Sequence, residues 1–217
     1  MKYVKMLSLA AVAAMALMAF LGASSASATV LCSEAGRTTN CSEENKEKGI
    51  VSKDYAASTT ISASLDSGTS AILKTTGGLV ENTCTTSTVE GPTANTGGAT
   101  ATVTGTVAQN KLTFSNCSNT TDVTAGGELE IHWISGTDNG TLTAKNFEVT
   151  QVLSGITCTY GAGTGTDLGT VTGGNPATLD VNAVVNKTAG SFACPSTAVW
   201  VANYTVTGPT PLYVSEK

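Results

Sequence analysis

The chain of 217 residues carries 16 acidic and 11 basic side chains, which give a formal charge of −5 at pH 7. An acidic chain without a basic patch argues against nucleic acid and anionic lipid as partners. Threonine, glycine, serine, alanine and valine are abundant, and this composition favours short strands joined by glycine-containing turns over helices.

The first 28 residues predict a secretory signal peptide, so we expect a secreted, extracellular or cell-surface protein. Lys2 and Lys5 form a basic head, residues 7–21 are apolar, and residues 26–28 are Ala-Ser-Ala, the small-residue pattern of a cleavage site. The apolar run is too short for a comfortable membrane span of about 20 residues. Cleavage would leave a single domain, residues 29–217, which is long enough to bury a core.

A lipoprotein is the alternative interpretation, because a lipid-modified Cys32 would tether the chain to a membrane. Such sites require a small residue directly before the cysteine, whereas Leu31 is large. No second apolar stretch reaches spanning length. We therefore expect a chain that carries no lipid, begins at Thr29 after cleavage and has no membrane span in its mature part.

All six cysteines follow the signal peptide: Cys32, Cys41, Cys84, Cys117, Cys158 and Cys194. An even number in an exported chain predicts three disulfides, although the count alone leaves the pairing open. We predict neither a metal nor another cofactor, because the chain has no Cys-x-x-Cys motif and a single histidine, His132.

Short strands separated by glycine-rich breaks predict an all-β fold, an antiparallel sandwich or a barrel-like sheet. The candidate strands outside the hairpin described next are 60–65, 71–75, 79–83, 100–107, 111–115, 147–153, 156–160, 177–185, 191–194 and 198–206. The polar stretch 42–49 has no apolar face, so a loop or a single turn is expected there.

Residues 128–143 predict a half-buried β-hairpin. Leu129, Ile131 and Trp133 share one face of its first strand, because alternate side chains point to the same side. The residues that share the opposite, polar face are Glu128, Glu130 and His132. The dipeptide Asn139-Gly140 is a strong signal for the turn.

Residues 84–117 and 158–194 resemble each other. Each segment begins with Cys-Thr, continues through a Thr-Gly-Gly turn, an Ala-Thr strand and Asn-Lys, and has a Phe shortly before its last Cys. If each is a three-strand unit closed by its own disulfide, Cys84 pairs with Cys117 and Cys158 with Cys194, which leaves Cys32 for Cys41. Such similarity can also arise by chance in sequence rich in threonine and glycine.

The mature chain resembles a family of uncharacterised exported β proteins of actinobacterial type. The resemblance covers nearly all of residues 29–217 and rests on cysteine and turn motifs: the early cysteine pair, TTISASLDSGTSA, STVEGPTANTGGA, LTFSNC, CTYG, TGGNPATL and YTVTGPTPLYV. It implies export, disulfides and a β fold, and it brings no activity, substrate or catalytic residue.

We predict no catalytic site. A serine or cysteine nucleophile needs a base within reach, and His132 is the one imidazole available. Glu128 and Glu130 would be the carboxylates of a glycosidase-like site, which needs one acid and one base across a sugar. Alternating acids on a solvated strand face are commonplace, however, so an exposed strand surface is the expected role of these three residues.

A non-enzymatic extracellular or cell-surface module, structural or binding in role, is therefore the main prediction, with cell-envelope polymer or protein as its partner. Binding of a carbohydrate or small ligand is the alternative. Aromatic residues that stack on sugars would be drawn from Trp133, Trp200, Tyr160, Tyr204 and Tyr213, although alternation favours core packing for the tryptophans. The row Thr100, Thr102, Thr104 and Thr106 also suggests ice binding, yet one row is not an array.

Overall fold

The computed structural model describes residues 28–35, 53–76, 81–95, 102–153 and 155–216. Within these ranges the chain consists mostly of antiparallel strands, and its one helical element is a 3-10 turn at Gln109–Lys111. The all-β prediction is therefore confirmed. In the same ranges no helix is both long and apolar enough to cross a membrane. Residues 1–27 of the predicted signal peptide and the polar stretch 42–49 lie outside the described residues.

The described residues form 15 strands. Their bounds are β1 Thr29–Cys32, β2 Thr60–Leu65, β3 Ala71–Thr75, β4 Glu81–Pro92, β5 Val103–Val107, β6 Leu112–Cys117, β7 Thr121–Ala125, β8 Gly127–Trp133, β9 Gly140–Lys145, β10 Phe147–Leu153, β11 Ile156–Ala162, β12 Thr166–Thr172, β13 Thr178–Gly190, β14 Thr197–Gly208 and β15 Tyr213–Glu216. Strands β2, β3 and β10 have the predicted bounds, because each is flanked by clear turn residues.

One local prediction is wrong. Residues 191–194 form a loop instead of a strand, and the N–H of Cys194 donates to the carbonyl of Ser191 at 3.0 Å within that loop. The hairpin predicted over residues 128–143 is confirmed by the antiparallel pairing of β8 with β9, although its connection, residues 134–139, is longer than a tight turn at Asn139-Gly140. Gly136 takes the left-handed conformation there, with a φ of 77°.

Three long strands, β4, β13 and β14, organise the sheet, because each pairs with different neighbours along its two halves. The first half of β14 pairs with β3 and the second with β2, and β4 also pairs with both. The first half of β13 pairs with β12, and its last residues pair with β11. The sheet therefore forms two rings that share the long strands. The first ring adds β3, β6, β7, β10 and β11, and the second ring adds β2, β5, β8, β9 and β12.

The second ring closes where β4 meets β5. An isolated bridge joins Thr93, which follows β4, to Gly105 of β5. Gly91 permits this approach, because a Cβ at that position would lie 2.2 Å from the carbonyl oxygen of Thr106. The obstructing atom belongs to the backbone, so any side chain at this position would push the two strands apart.

In the first ring no ladder of backbone hydrogen bonds connects the neighbouring strands β6 and β7 as the structure describes them. Side chains bridge this β6–β7 seam. The amide of Asn82 donates to the Thr121 hydroxyl at 2.7 Å and accepts from the Ser118 hydroxyl at 3.1 Å and the Asn119 N–H at 3.0 Å. Asn82 is buried, and these three hydrogen bonds replace those it would make with water.

Two described disulfides reinforce the first ring. Cys84–Cys117 joins β4 to β6, and Cys158–Cys194 joins β11 to the loop after β13. These are the pairs that the similarity between residues 84–117 and 158–194 predicts. Cys32 is also disulfide-bonded, while its predicted partner Cys41 lies outside the described residues.

Strands β1 and β15 form a separate two-stranded sheet. Thr29, the predicted first residue of the mature chain, is buried and pairs with Glu216. The Thr29 hydroxyl accepts a hydrogen bond from the N–H of Trp133 at 2.9 Å, which fastens β1 to the end of β8.

The core consists largely of small side chains. Along β13 and β14 the inward residues include Val181, Ala183, Ala198 and Ala202, all nearly inaccessible to solvent. Alanine and valine fill less of a ring's interior than leucine or phenylalanine would. Space therefore remains inside both rings.

Candidate functional site

The polar cluster on β8 is organised by a lysine. Glu128 lies opposite Lys145 of β9 in the sheet. The Lys145 Nζ is 3.1 Å from a carboxylate oxygen of Glu128 and 2.5 Å from one of Glu130. The hydrogen bond to Glu130, followed by that to Glu128, raises the pKa of Lys145. Both carboxylates therefore share one cation.

His132 lies on the same outer face, opposite Thr141. None of Glu128, Glu130 and His132 lines any of the three cavities described below. The structure thus brings together the three residues that were weighed as a catalytic site, on the outer face of the second ring, where they are half-buried instead of fully exposed. Thr104 and Thr106 lie opposite Glu130 and Glu128 there, and Thr100 lies outside the described residues.

The aromatic residues considered for sugar stacking point inward. Those that are buried or packed against buried residues are Trp133, Trp200, Tyr160, Tyr204 and Tyr213. The prediction of core packing for both tryptophans is confirmed. Among the described aromatic side chains only Phe192 is fully exposed, at 99% of its surface.

The first ring encloses a cavity of about 50 Å³. Its wall is mostly apolar and includes Phe114, Phe147, Val149, Val185 and Trp200. The rings of Phe114 and Trp200 meet edge to face, with centroids 6.1 Å apart and an interplanar angle of 74°. This geometry fixes the indole in the wall.

Three polar side chains also line this cavity: Asn82, Thr121 and Gln151. Asn82 and Thr121 hydrogen-bond to each other across the seam. In the described part of the chain, by contrast, the Oε1 of Gln151 and the Nε1 of Trp200 are buried without a hydrogen-bond partner. Gln151 as a whole is only 3% exposed.

These two atoms are chemically complementary. An indole N–H can only donate a hydrogen bond, whereas an amide oxygen accepts one. Buried polar groups in proteins are nearly always paired, and an unpaired one costs roughly 1–3 kcal/mol. Two residues that line the cavity, Gln151 and Trp200, therefore each carry an unpaired polar atom, and both atoms are buried within the wall.

Two further apolar cavities, of about 30 Å³ and 70 Å³, follow along the core toward the second ring. Leu112, Phe147 and Trp200 line both the first cavity and the 30 Å³ cavity. Leu129 and Leu142 line both the 30 Å³ and the 70 Å³ cavities. Neighbouring cavities are thus separated by shared side chains.

The unpaired glutamine is the residue that sequence reasoning missed. The strand 147–153 was predicted with its observed bounds, and alternation along it places Phe147, Val149 and Gln151 on one face. A glutamine that shares a strand face with two large apolar residues indicates a polar side chain that points into the core. The contact of Lys145 with both carboxylates depends on the register of β8 against β9, and that register cannot be predicted from a local sequence pattern.

No family model, curated protein or solved structure matches the chain. The resemblance to exported β proteins of actinobacterial type therefore stays a prediction. Function must be inferred from the cavity in the first ring and from the residues that line it.

Proposed function

We propose that the mature chain is an exported, non-enzymatic binding module that holds a small, mostly apolar molecule in the cavity of the first ring. The observation that carries this proposal is the cavity itself, whose mostly apolar wall also includes the buried Gln151. Ligand pockets are typically apolar with a few polar groups. A core built only for stability would gain from an apolar side chain in place of Gln151, whose Oε1 is buried without a hydrogen-bond partner.

Export is supported by the signal-peptide pattern of residues 1–28 and by the disulfides. Disulfides form and persist in oxidising compartments, and the pairs Cys84–Cys117 and Cys158–Cys194 both connect segments distant in sequence. The protein would act outside the cytoplasm, in solution or at the cell surface.

A role without catalysis is supported by the chemistry of the two polar clusters. The residues that line the cavity of the first ring include no carboxylate, imidazole, ammonium or guanidinium group. On the outer face, Lys145 binds both Glu128 and Glu130, so neither carboxylate is placed alone against an open pocket.

Titration with xenon, an uncharged apolar atom small enough for a cavity of about 50 Å³, tests the proposal, because its NMR chemical shift reports apolar surroundings. We expect saturable binding by the mature chain. Ala162 is buried and lines the cavity, so Ala162→Leu should remove the xenon bound there by filling the space.

The matched control is Ala189→Leu on the exposed part of β13, which should bind xenon as the unaltered protein does. Circular dichroism shows whether each variant is folded. If folded Ala162→Leu protein binds xenon unchanged, the cavity is not the site and the proposal is wrong. Val149→Phe, which fills the same cavity from β10, provides a second variant should Ala162→Leu fail to fold.

A further inference from the structure

We infer that one end of the first ring docks on a neutral lipid surface and inserts the side chain of Phe192 into it. This loop end consists of residues 118–120, Gly155 and residues 191–196, which lie in the connections β6–β7, β10–β11 and β13–β14. The inference concerns the outside of the protein and does not depend on ligand binding in the cavity.

Strand register brings these connections to the same end of the ring. Cys158, near the start of β11, lies opposite Gly190, the last residue of β13. Strand β7 begins opposite the end of β10, so residues 118–120 lie at this end as well. Ile156 and Phe192, two of the large apolar side chains that are exposed, therefore lie on neighbouring connections.

Phe192 is presented on a loop that is held at several points. Its side chain is fully exposed. The disulfide Cys158–Cys194 ties the loop to β11, and the Lys187 Nζ donates to the carbonyls of Ser191 and Cys194, each at 3.3 Å. A preorganised loop loses little conformational entropy when it docks, so burial of the phenyl ring would contribute directly to binding.

The loop pairs much of its own backbone, which favours a lipid over a protein pocket as the partner. The N–H of Cys194 donates to the carbonyl of Ser191 at 3.0 Å, and the N–H of Ala193 donates to the Ser191 hydroxyl at 3.2 Å. Pro195 has no N–H, and its carbonyl accepts from the Tyr160 hydroxyl at 3.2 Å. The apolar part of a lipid layer supplies no hydrogen-bond partner, so a segment that enters it must pair its polar groups internally. A protein pocket makes no such demand, because it can supply partners of its own.

The sequence of the loop end contains no charged side chain. Residues 116–121, 151–160 and 188–197 include no Asp, Glu, Lys or Arg, whereas the connections β2–β3 and β8–β9 carry Asp66 and Asp138. Moving a charge out of water costs far more than moving a neutral polar group, so an uncharged surface suits entry into a lipid interface. The formal charge of −5 disfavours anionic lipid, and the lipid is therefore a neutral one.

Co-sedimentation with vesicles tests the inference. The chain is used in its secreted form, because the apolar run 7–21 of the precursor would itself bind lipid. We expect binding to vesicles of phosphatidylcholine, and no tighter binding to vesicles of equal parts phosphatidylcholine and phosphatidylglycerol. Phe192→Ala should weaken binding at least about tenfold, because the apolar surface that enters the lipid is lost.

Phe192→Trp shows whether this side chain enters the lipid. The variant should bind as the unaltered protein does, and brominated phosphatidylcholine should quench the emission of the added indole. Trp133 and Trp200 pack against the core, so the emission of the unaltered protein should not be quenched. The matched control is Val184→Ala, since Val184 is also exposed but lies in the middle of β13. Its binding should be unchanged.

The outcomes separate a lipid partner from the alternatives. Sedimentation with neither vesicle would overturn the inference and leave a protein pocket as the partner of Phe192. Equal binding by Phe192→Ala and the unaltered protein, or an indole in Phe192→Trp that is not quenched, would mean that another surface meets the lipid. Binding that requires phosphatidylglycerol would also contradict a neutral lipid. Phe192→Ala should leave xenon binding in the cavity unchanged, so a failure here is distinguishable from a failure of the proposed function.

Discussion

The hydroxyl groups of Tyr204 and Ser87 lie 2.8 Å apart in the interior and join β14 to β4. Both residues are nearly inaccessible to solvent, so each hydroxyl takes the other as its hydrogen-bond partner in place of water. Burial raises the pKa of Tyr204 to about 12, because desolvation disfavours the phenolate, and the hydrogen bond with Ser87 offsets only part of this rise.

The raised pKa of Tyr204 predicts a loss of stability in alkali. The unfolded chain has an ordinary tyrosine pKa near 10, so between pH 10 and pH 12 the folded state keeps a proton that the unfolded state has released. The free energy of unfolding is therefore unaffected by this group below about pH 10 and falls by up to about 1.4 kcal/mol per pH unit above it. Urea unfolding at closely spaced pH values measures this slope.

The control is Tyr204→Phe, which should be less stable at neutral pH by roughly 1–2 kcal/mol, because the Ser87 hydroxyl loses its partner. Its stability should fall less steeply with alkaline pH than that of the unaltered protein. A residual slope is expected, since burial also raises the pKa values of Tyr55 and Tyr160. Equal slopes in the two proteins would contradict the assignment to Tyr204.

Replacement of Gly91 by alanine tests the closure of the second ring. The new Cβ would lie 2.2 Å from the Thr106 carbonyl oxygen, and relief requires β4 to move away from β5. We expect a loss of about 1–3 kcal/mol in the free energy of unfolding, which is typical of overpacking. Gly163→Ala is the control, because a Cβ there meets no atom within 4 Å. If the urea midpoints of both variants are unchanged, the two strands are not in close contact.

Alternation predicts the faces of the strands well, because each face depends only on neighbours within one strand. It directs Trp133 and Trp200 toward the core, and both pack against it. Strand β12 escaped prediction because its sequence TDLGTVT is polar and Gly169 has a φ of 134°, which interrupts the pairing of β12 with β9. Its pairing with β13 and β9 depends on contacts remote in sequence.

The cavity could not be predicted as a unit, because its lining comes from strands spread over most of the described chain. Gln151 and Trp200 are 49 positions apart in the sequence, and local pattern gives each only an inward direction. Phe192 is exposed in a loop and not part of the predicted strand 191–194, although the residue types there suit a strand. The disulfide between Cys158 and Cys194, a contact between residues remote in sequence, holds the chain in this loop.

The disulfide Cys158–Cys194 should protect that loop from proteolysis. Phe192 is exposed and is a preferred cleavage residue of chymotrypsin, yet the Lys187 Nζ holds the loop by donating to the carbonyls of Ser191 and Cys194, each at 3.3 Å. Replacement of both cysteines by serine should cost about 4 kcal/mol in the loop-entropy estimate. We expect rapid cleavage after Phe192, measured by mass spectrometry.

The variant with Cys84 and Cys117 both replaced by serine is the control for this effect. The sequence separation of its lost bond, 33, is close to the 36 of Cys158–Cys194, so the global loss of stability should be similar. Cys84 and Cys117 lie on directly paired strands, and the loop at Phe192 is left intact. Equally fast cleavage after Phe192 in both variants would mean that global unfolding, and not the local clamp, controls proteolysis.

Lys145→Met should destabilise the protein most at low ionic strength. It leaves Glu128 and Glu130 as neighbouring like charges without the cation that now binds both, and salt screens the remaining repulsion. Lys74→Met is the control, because Lys74 and Glu81 form an exposed pair at 3.6 Å that contributes little to stability. Urea midpoints at low and high salt make the comparison. A salt response of the same size in both variants would contradict the bridging role of Lys145.

The last prediction concerns catalysis, for which the outer cluster is the one candidate that sequence reasoning singled out. A variant with Glu128, Glu130 and His132 all replaced by alanine should bind xenon as the unaltered protein does, because none of the three lines the cavity of the first ring. The unaltered protein should show no turnover of glycans, esters or peptides. Catalytic groups need mutual geometry as well as the right residue types, and here the lysine occupies the position between the two carboxylates. Turnover that disappears in the triple variant would overturn the non-enzymatic proposal and place a reaction on the outer face of β8. Turnover that persists in it would also contradict that proposal, and would direct the search for the active site to residues away from this cluster.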